Sequence, residues 1–450
     1  VAQAVRLHLR VATQSIPLLR HLLTMLNVKD YGAVGNGLVD DSAAIQAALS
    51  TGQHVYIPTG YYLINSPLTF RQAGQMVSGD GRNQSRLIVN STFNLSAQGV
   101  LIFASGEEGA QLEDFGIYFD QPDTSDRNAL TQYPVAIYAA NTARFTLTSL
   151  KITNAYNGID MTGNCGGAFI NLLEMSAYNT GIHIDGSLDT VRINQFHFWC
   201  FGMSSNQTNI FFGSAKALDI GRVDGLMLSE FLNISSLGIN MYKGATGDPW
   251  VYLSDSGFDT FNAIRMSAGS LQVVNSYITL ANTPTLRGVH QTGGILQFTN
   301  CYFTSGQTQP FMLLENMTGG ALQIDNCYFN YAGGAQVSVG GNANANSIQI
   351  SNSRFQAQSG AFQLLGAAAG TNKIHLSNNI IETANVGYGQ PIVDVYGANR
   401  VYMTGNRVND GHGNFVHIQN DNPNWVSGNI AYGWTYLTPS GKIGFYANNI

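Results

Sequence analysis

Apolar and polar positions alternate in short runs along most of this chain, and from Leu271 onward the runs recur at a fixed interval. The segments LQVVNSYI, LQFTNCYF, LQIDNCYF, IQISNSRF, IHLSNNII and VYMTGNRV begin at Leu271, Leu296, Leu322, Ile348, Ile374 and Val401, so the starts lie 25, 26, 26, 26 and 27 residues apart. A constant period in the twenties marks a solenoid, in which each repeat is one coil that cannot bury its apolar face alone. Within a copy the first and third residues are apolar, as in Leu271/Val273 and Leu322/Ile324, and the second is mostly polar (Gln272, Gln297, Gln323, Gln349, His375). That alternation predicts a strand with one buried face.

The fifth position of the copies holds Asn275, Asn300, Asn326, Asn352 and Asn378, then Gly405. Asn and Gly tolerate a left-handed backbone, so a sharp bend is predicted at the same place in every coil. An apolar side chain then returns at Ile278, Phe303, Phe329, Phe355, Ile381 and Val408. Coils stacked about 4.8 Å apart would turn these positions into an internal column of Asn and another of Phe and Ile. The fold class predicted is all-β: a single-stranded right-handed parallel β-helix.

Earlier coils are predicted to start at Phe145, Phe169, Val191, Leu226 and Trp250. The step from Val191 to Leu226 is about ten residues too long for one coil. Its insert, near FWCFGMSSNQTNIFFGSAK, is expected to loop out on the working face. Another strand precedes each ladder start: GIDMTG, GIHIDG, GINMYKG, AIRMSAG and GVHQTGG, beginning at Gly158, Gly181, Gly238, Ala263 and Gly288. Ile159/Met161, Ile182/Ile184, Ile239/Met241 and Ile264/Met266 are predicted to face inward. The opposite parity forms an outer column of Asp160, His183, Asn240, Arg265 and His290. Two residues further along the strand it reads Thr162, Asp185, Tyr242, Ser267 and Thr292.

Composition sharpens this picture. Charged residues are 11% of the chain, roughly half the usual quarter, so a strip holding two carboxylates, two imidazoles and a guanidinium stands out. Asp160 and Asp185 would lie one coil and two residues apart, roughly 8 Å. Carboxyl groups about 6.5–9.5 Å apart leave room for a water and suit inverting glycoside hydrolysis. One acid would protonate the glycosidic oxygen and the other would activate the water. His183, between them, would tune either acid or serve as base in an elimination route. Arg265 would grip an acidic sugar or hold one of the Asp carboxylates ionised. The other candidate substrate contacts are His290, Tyr242, Glu315, Tyr302 and Tyr328; the last two belong with Tyr277 to a ladder of one Tyr per coil, which fits either sugar rings or a subunit contact. Glu230 occupies the bend position and is read as a turn residue. A simple solvated surface remains the alternative for any one of these acids.

The net charge of −6 argues against a nucleic-acid partner, which wants a basic stripe. No apolar run reaches the roughly 18 residues of a membrane span. The first residues lack the apolar core and cleavage site of a secretory signal. Cys301 and Cys327 fall in the same slot of adjacent coils and are read as stacked buried thiols within disulfide reach. No Cys/His spacing fits zinc, and no metal or cofactor is expected.

The opening segment, NVKDYGAVGNGLVDDSAAIQAALSTGQHVYIPTGYYLI (27–64), predicts a helix from Asp40 or Asp41 to about Leu49, with Ala44, Ile45, Ala48 and Leu49 on one face, then two strands around a Pro-Thr-Gly turn. Such a helix would cover the open end of the first coil. The segment resembles the opening motif of the pectate-lyase-like right-handed β-helix superfamily at Val28, Asp30, Gly32, Ala33, Gly35, Gly37, Asp40, Asp41, Ala44, Ile45, Pro58, Gly60 and Tyr62; Asn36 replaces the customary Asp. The motif describes the cap and so speaks to fold more than chemistry.

Within that superfamily the chain looks most like a bacteriophage tailspike or capsule depolymerase. The Asp-Pro-His of the epimerases is broken here as Asp248-Pro249-Trp250, and neither a calcium-type Asp run nor the polygalacturonase acids appear in the middle coils. The resemblance implies an enzyme on a virion tail that cuts a bacterial surface polysaccharide, acting as a homotrimer, with catalytic acids on the outer strand face already singled out. It favours hydrolysis. A polysaccharide lyase, a non-catalytic sugar-binding spike and a secreted pectin-degrading enzyme are the alternatives. The organisation expected is a neck or cap over residues 1–26, the opening motif over 27–66, the β-helix over 67–430 and closing strands over 431–450. The apolar stretch from Pro17 to Leu26 would pack on the solenoid end or meet its copies at a threefold neck.

Overall fold

The computed structural model describes residues 25–447 except 105, 107, 281–286, 306–309, 318, 332–333, 341–342, 345, 358–361, 368–369, 384–390, 410–412, 420–423, 432–433 and 438–442. The neck or cap expected over residues 1–26 lies almost wholly outside them. The chain winds as an all-β parallel solenoid of about 14 turns. Each coil of the repeat has three strands, as in Ser270–Val274, Tyr277–Leu280 and Val289–Gln291, and each pairs in parallel with its equivalent one coil away. Three long sheets result, called here first, second and third in chain order. The predicted starts hold: strands begin at Phe169, Val191, Leu226 and Trp250, and Leu271 pairs with Leu296 and then Leu322.

The apolar interior forms from the residues that alternation pointed inward. Ile278, Phe303, Phe329, Phe355, Ile381 and Val408 are all buried, and the Phe303, Phe329 and Phe355 rings stack 4.3 and 4.6 Å apart. The Asn column is different from expectation. Asn275, Asn300, Asn326, Asn352 and Asn378 do adopt the left-handed bend, with φ between 51° and 55°. Their side chains, however, lie outside. A left-handed residue at the corner turns its own Cβ outward and the next residue inward. The buried polar column is therefore Ser276, Cys301, Cys327, Ser353, Asn379, Asn406 and Asn429, in which Asn379 N donates to Asn406 Oδ1 at 3.1 Å and Asn406 N to Asn429 Oδ1 at 3.0 Å. Cys301 and Cys327 are free thiols within it.

The capping helix α1 (Ser42–Leu49) buries Ile45, Ala48 and Leu49 over the first coil. Gln46 stands in for the missing strand partner: its amide accepts from Thr69 N at 2.8 Å and donates to Thr69 O at 3.1 Å, so the starting edge of the third sheet is closed. The two acids divide their work. Asp40 Oδ1 accepts from Ser42 N at 3.0 Å, whereas the buried Asp41 carboxylate accepts from Val34 N and Gly35 N at 2.6 and 3.1 Å and pins the preceding loop.

The long step after Val191 contains a second helix, α2 (Ser205–Ser214), rather than an open loop. Ser204 and Gln207 form a reciprocal capping box, and Phe211 anchors the helix in the core. The chain then re-enters the third sheet at Lys216–Ile220. At the other end, Trp434–Leu437 and Ile443–Ala447 each lie parallel to a strand of the preceding coil.

Candidate functional site

The third sheet places the candidate chemistry on one flank. Its outer column runs in register through Tyr138, Asp160, His183, Asp219, Asn240, Arg265 and His290. Inward neighbours Ile159, Met161, Ile182, Ile184, Leu218, Ile220, Ile239, Met241, Ile264 and Met266 are buried, so the alternation that aims the column at solvent is fixed by the core.

Asp219 is the member that sequence reasoning missed. It sits between His183 and Asn240, on the short strand that follows α2 in the chain. The signal was present in KALDI, where Ala217, Leu218 and Ile220 turn inward and Lys216 and Asp219 outward. Asp219 is the hub of the site: Lys216 Nζ lies 2.9 Å from Oδ1, Asn240 Nδ2 donates to Oδ1 at 2.7 Å, and His183 Nδ1 is 3.4 Å from Oδ2. Burial raises the Asp219 carboxyl, but the bonds from His183, Lys216 and Asn240 outweigh it and hold the group at about 2. The His183 imidazole moves the other way. Its bond to Asp219 raises it above the ordinary value, against a smaller lowering by burial, and the negative charges of Asp219, Asp160 and Asp185 add to the rise.

Asp160 and His183 line one depression of about 290 Å³ with Val135, Asn157, Ile159 and Thr180. Thr162 holds Asp160 through Oδ1, donating from N at 2.9 Å and from Oγ1 at 2.6 Å. One side of the depression is walled by inserted chain. Arg127 Nη2 bonds Asn179 Oδ1 at 3.0 Å, Asn179 Nδ2 bonds Asn157 Oδ1 at 2.9 Å, and Gln207 of α2 ties back to Pro122 O at 2.9 Å.

Asp185 lies on the neighbouring column but does not line the depression. Its carboxylate bends over the next two coils, accepting from Arg222 N at 2.9 Å and Ala245 N at 3.4 Å. A Cβ at Gly221 or Gly244 would fall 2.5 or 2.0 Å from Asp185 Oδ1, so side chains are missing where that carboxylate needs space. Asp185 thus binds backbone and contributes charge to the site. Tyr242, next on that column, has its phenol pushed up to about 12 by burial and then by the charges of Asp219 and Asp185.

Further along, Arg265 is exposed and makes no ion pair among the described residues. His290 Nε2 meets Glu315 Oε1 at 2.8 Å. Tyr302 and Tyr328 are elsewhere: they stand in register on the second sheet, so the structure separates them from Asp160 and His183. Glu230 is a left-handed corner residue with φ 51°, bonded to Gln195 Nε2 at 2.9 Å, as its position implied. Among the described residues no group of three or more His, Cys, Asp or Glu is arranged to hold a metal, and no helix is long and apolar enough to cross a membrane.

A parallel β-helix with an opening cap motif and an acid-imidazole flank defines the class. Residues 25–108 match the family described as rhamnogalacturonase A/epimerase, pectate lyase-like. Two solved structures share the fold over most of the chain. The pre-mature bacteriophage phi29 gene product 12 superposes with a TM-score of 0.57 at 13% identity, covering 93% of this chain and 69% of that one. A mutant tailspike protein of E. coli bacteriophage HK620, in complex with a pentasaccharide, gives 0.55 at 11% identity, covering 89% and 76%. By sequence, plasmin and fibronectin-binding protein A of Streptococcus pneumoniae is 34% identical over 99 residues, which is 20% of this chain and 13% of that protein. The parallel β-helix fold expected from the opening motif is thereby established, while the family match is confined to residues 25–108 and this chain aligns with only a small part of that curated relative.

Proposed function

We propose that this chain is the polysaccharide-cleaving body of a phage tailspike, acting within a bacterial capsule or O-antigen chain by endo-glycosidic hydrolysis. The observation that carries the reading is that Asp160 and His183 share one depression while the half-buried Asp219 supports His183 from the next coil. The fold shared with a tailspike crystallised on a pentasaccharide supports the substrate class and a place on the virion tail. In this reading the working assembly is a homotrimer.

The chemistry follows from the unequal pair. Asp160, oriented by Thr162, takes a proton from water, whose oxygen attacks the anomeric carbon. The glycosidic C–O bond breaks, and the imidazolium of His183 gives its proton to the departing oxygen. Solvent exchange returns the proton from Asp160 and recharges His183. Asp219 favours the cationic form of His183 and fixes which nitrogen faces the depression. Arg265, His290 with Glu315, and Tyr242 bind the sugars that follow along the axis. Asp185 sets the floor of the trough through the turns at Arg222 and Ala245.

A second reading, β-elimination from a uronic acid, is favoured by Tyr242, whose phenol retains its proton beside two carboxylates. Incubation with purified capsule or O-antigen, followed by reducing-end and unsaturated-product assays, separates the readings. Hydrolysis gives new ends without absorbance, elimination gives both, and a non-catalytic spike gives neither. Asp160→Asn and His183→Gln are each expected to lower turnover by about 10²–10⁴-fold with binding retained. Full activity in both variants would remove the trough from the mechanism.

A further inference from the structure

The second sheet bears an outer column that the trough does not use. It passes in register through Gly257, Tyr277, Tyr302, Tyr328 and Arg354. Tyr302 and Tyr328 lie side by side with ring centroids 5.5 Å apart and planes tilted by 39°, and both lean toward the later coils: Asn330 Nδ2 donates to Tyr302 Oη at 3.3 Å, and Tyr328 bonds Gln356. Tyr277 leans the opposite way. A Cβ at Gly257 would lie 2.3 Å from its Cζ, so the bare backbone of Gly257 is what lets the ring settle over that coil. The column is therefore parted between Tyr277 and Tyr302, and a depression of about 470 Å³ opens there. On the other side of Tyr277 lies a second one of about 440 Å³.

The floor of the first depression is the exposed amide ladder at the sheet corner. Asn326 Nδ2 donates to Asn300 Oδ1 at 2.7 Å, Asn300 Nδ2 to Asn275 Oδ1 at 3.3 Å, and Asn275 Nδ2 to Asp255 Oδ1 at 3.4 Å. A primary amide has two N–H groups and two lone pairs, so the ladder leaves a donor and an acceptor over at each coil.

We propose that this parted aromatic column is a second saccharide-binding site, for neutral pyranose units of a polymer, on a different sheet from the trough. Three features point to that ligand. Open aromatic faces suit the C–H face of a pyranose. Amides that both donate and accept suit hydroxyl groups, which do the same. Residues charged at neutral pH do not line the first depression, in contrast to the Arg265 and His290 flank. A Tyr and an Asn recur together on three successive coils, Asn275/Tyr277, Asn300/Tyr302 and Asn326/Tyr328, so consecutive sugars meet chemically similar partners. Such a site holds the polymer while the trough acts, and it requires no cleavage by the trough.

Affinity electrophoresis of the full chain through gels containing a soluble β-1,3-glucan, an α-1,4-glucan or a β-1,4-mannan tests this. Retardation by at least one of these neutral polymers is expected. Tyr302→Ala, which removes a wall, and Gly257→Ala, which pushes Tyr277 off its seat into the opening, should each weaken it roughly tenfold, about 1.4 kcal/mol. Tyr302→Phe should keep most of it, with unchanged melting in all three variants. Asp160→Asn should be retarded like the parent chain, which separates this site from the trough. Absence of retardation on all three polymers overturns the proposal, as does retention that vanishes in Asp160→Asn but survives Tyr302→Ala. A drop in solution mass in Tyr302→Ala would assign the column to a subunit contact and overturn it as well.

Discussion

At the scale of single residues, the molecule is governed by where carboxylates find partners. Asp219 is held ionised by three donors, and His183 is raised by the same contact, so each stabilises the charged form of the other. The signs differ. The Asp219 contribution, about 2 kcal/mol at most, is present above the ordinary carboxylate range near pH 4 and is lost as pH falls toward about 2. The His183 contribution is present below the ordinary imidazole value and is lost as pH rises through its raised folded value. For catalysis with His183 as the acid, activity must fall on the alkaline side. Asp219→Asn removes the support of the imidazolium, so the alkaline limb of kcat/KM should move to lower pH while the acidic limb stays; movement of the acidic limb instead would make His183 the base and favour elimination. A second expectation concerns strain. Leu172 holds φ 56° at an exposed corner, where a branched aliphatic side chain costs about 1–2 kcal/mol relative to Gly. Leu172→Asn should raise the melting midpoint, a gain of about 1 kcal/mol by chemical denaturation.

At the scale of the coil, two adjacent positions with the same amide do opposite work. Asn352 at the corner is exposed, whereas the Asn406 side chain is buried, accepting from Asn379 at 2.9 and 3.1 Å and donating to Leu376 O at 2.9 Å. Asn406→Ala strands those groups in the interior and should cost about 1–3 kcal/mol. Asn352→Gly keeps the left-handed bend available and should change stability by less than about 1 kcal/mol. Equal losses in a urea titration would mean that the outward and inward columns are not distinguished as described. The recurrence of Asn was visible in the sequence, but its direction was not: period and residue type locate a bend, and only the backbone through the bend decides which of two successive side chains points in.

At the scale of the whole molecule, the flank from Asp160 to His290 extends about 24 Å along the axis, at about 4.8 Å per coil. A surface of that length suits a polymer lying along the rod, with cleavage near Asp160 and recognition toward Arg265. Arg265→Ala is expected to raise KM about tenfold for an acidic glycan with kcat little changed, because it removes ground-state binding remote from the bond that breaks. The same substitution should leave a neutral glycan unaffected. A large fall in kcat with unchanged KM would move Arg265 into the chemistry. The second-sheet column lies on another flank of the same rod, which gives the two surfaces independent contacts with long glycans.

The sequence by itself determined the solenoid, because a coil repeat is written locally: alternation sets the strand, Asn or Gly sets the bend, and a period in the twenties stacks one copy on the next. It also determined that Asp160, His183, Arg265 and His290 share a column, since inward Ile and Met fix the parity of each strand. Only the tertiary structure decided that Asp219 joins them, because α2 interrupts the period and hides the coil to which that residue belongs. It likewise decided that Asp185 bends onto backbone amides and that Tyr302 and Tyr328 face elsewhere, since these depend on how successive coils lie against one another and on the bare backbone at Gly221, Gly244 and Gly257.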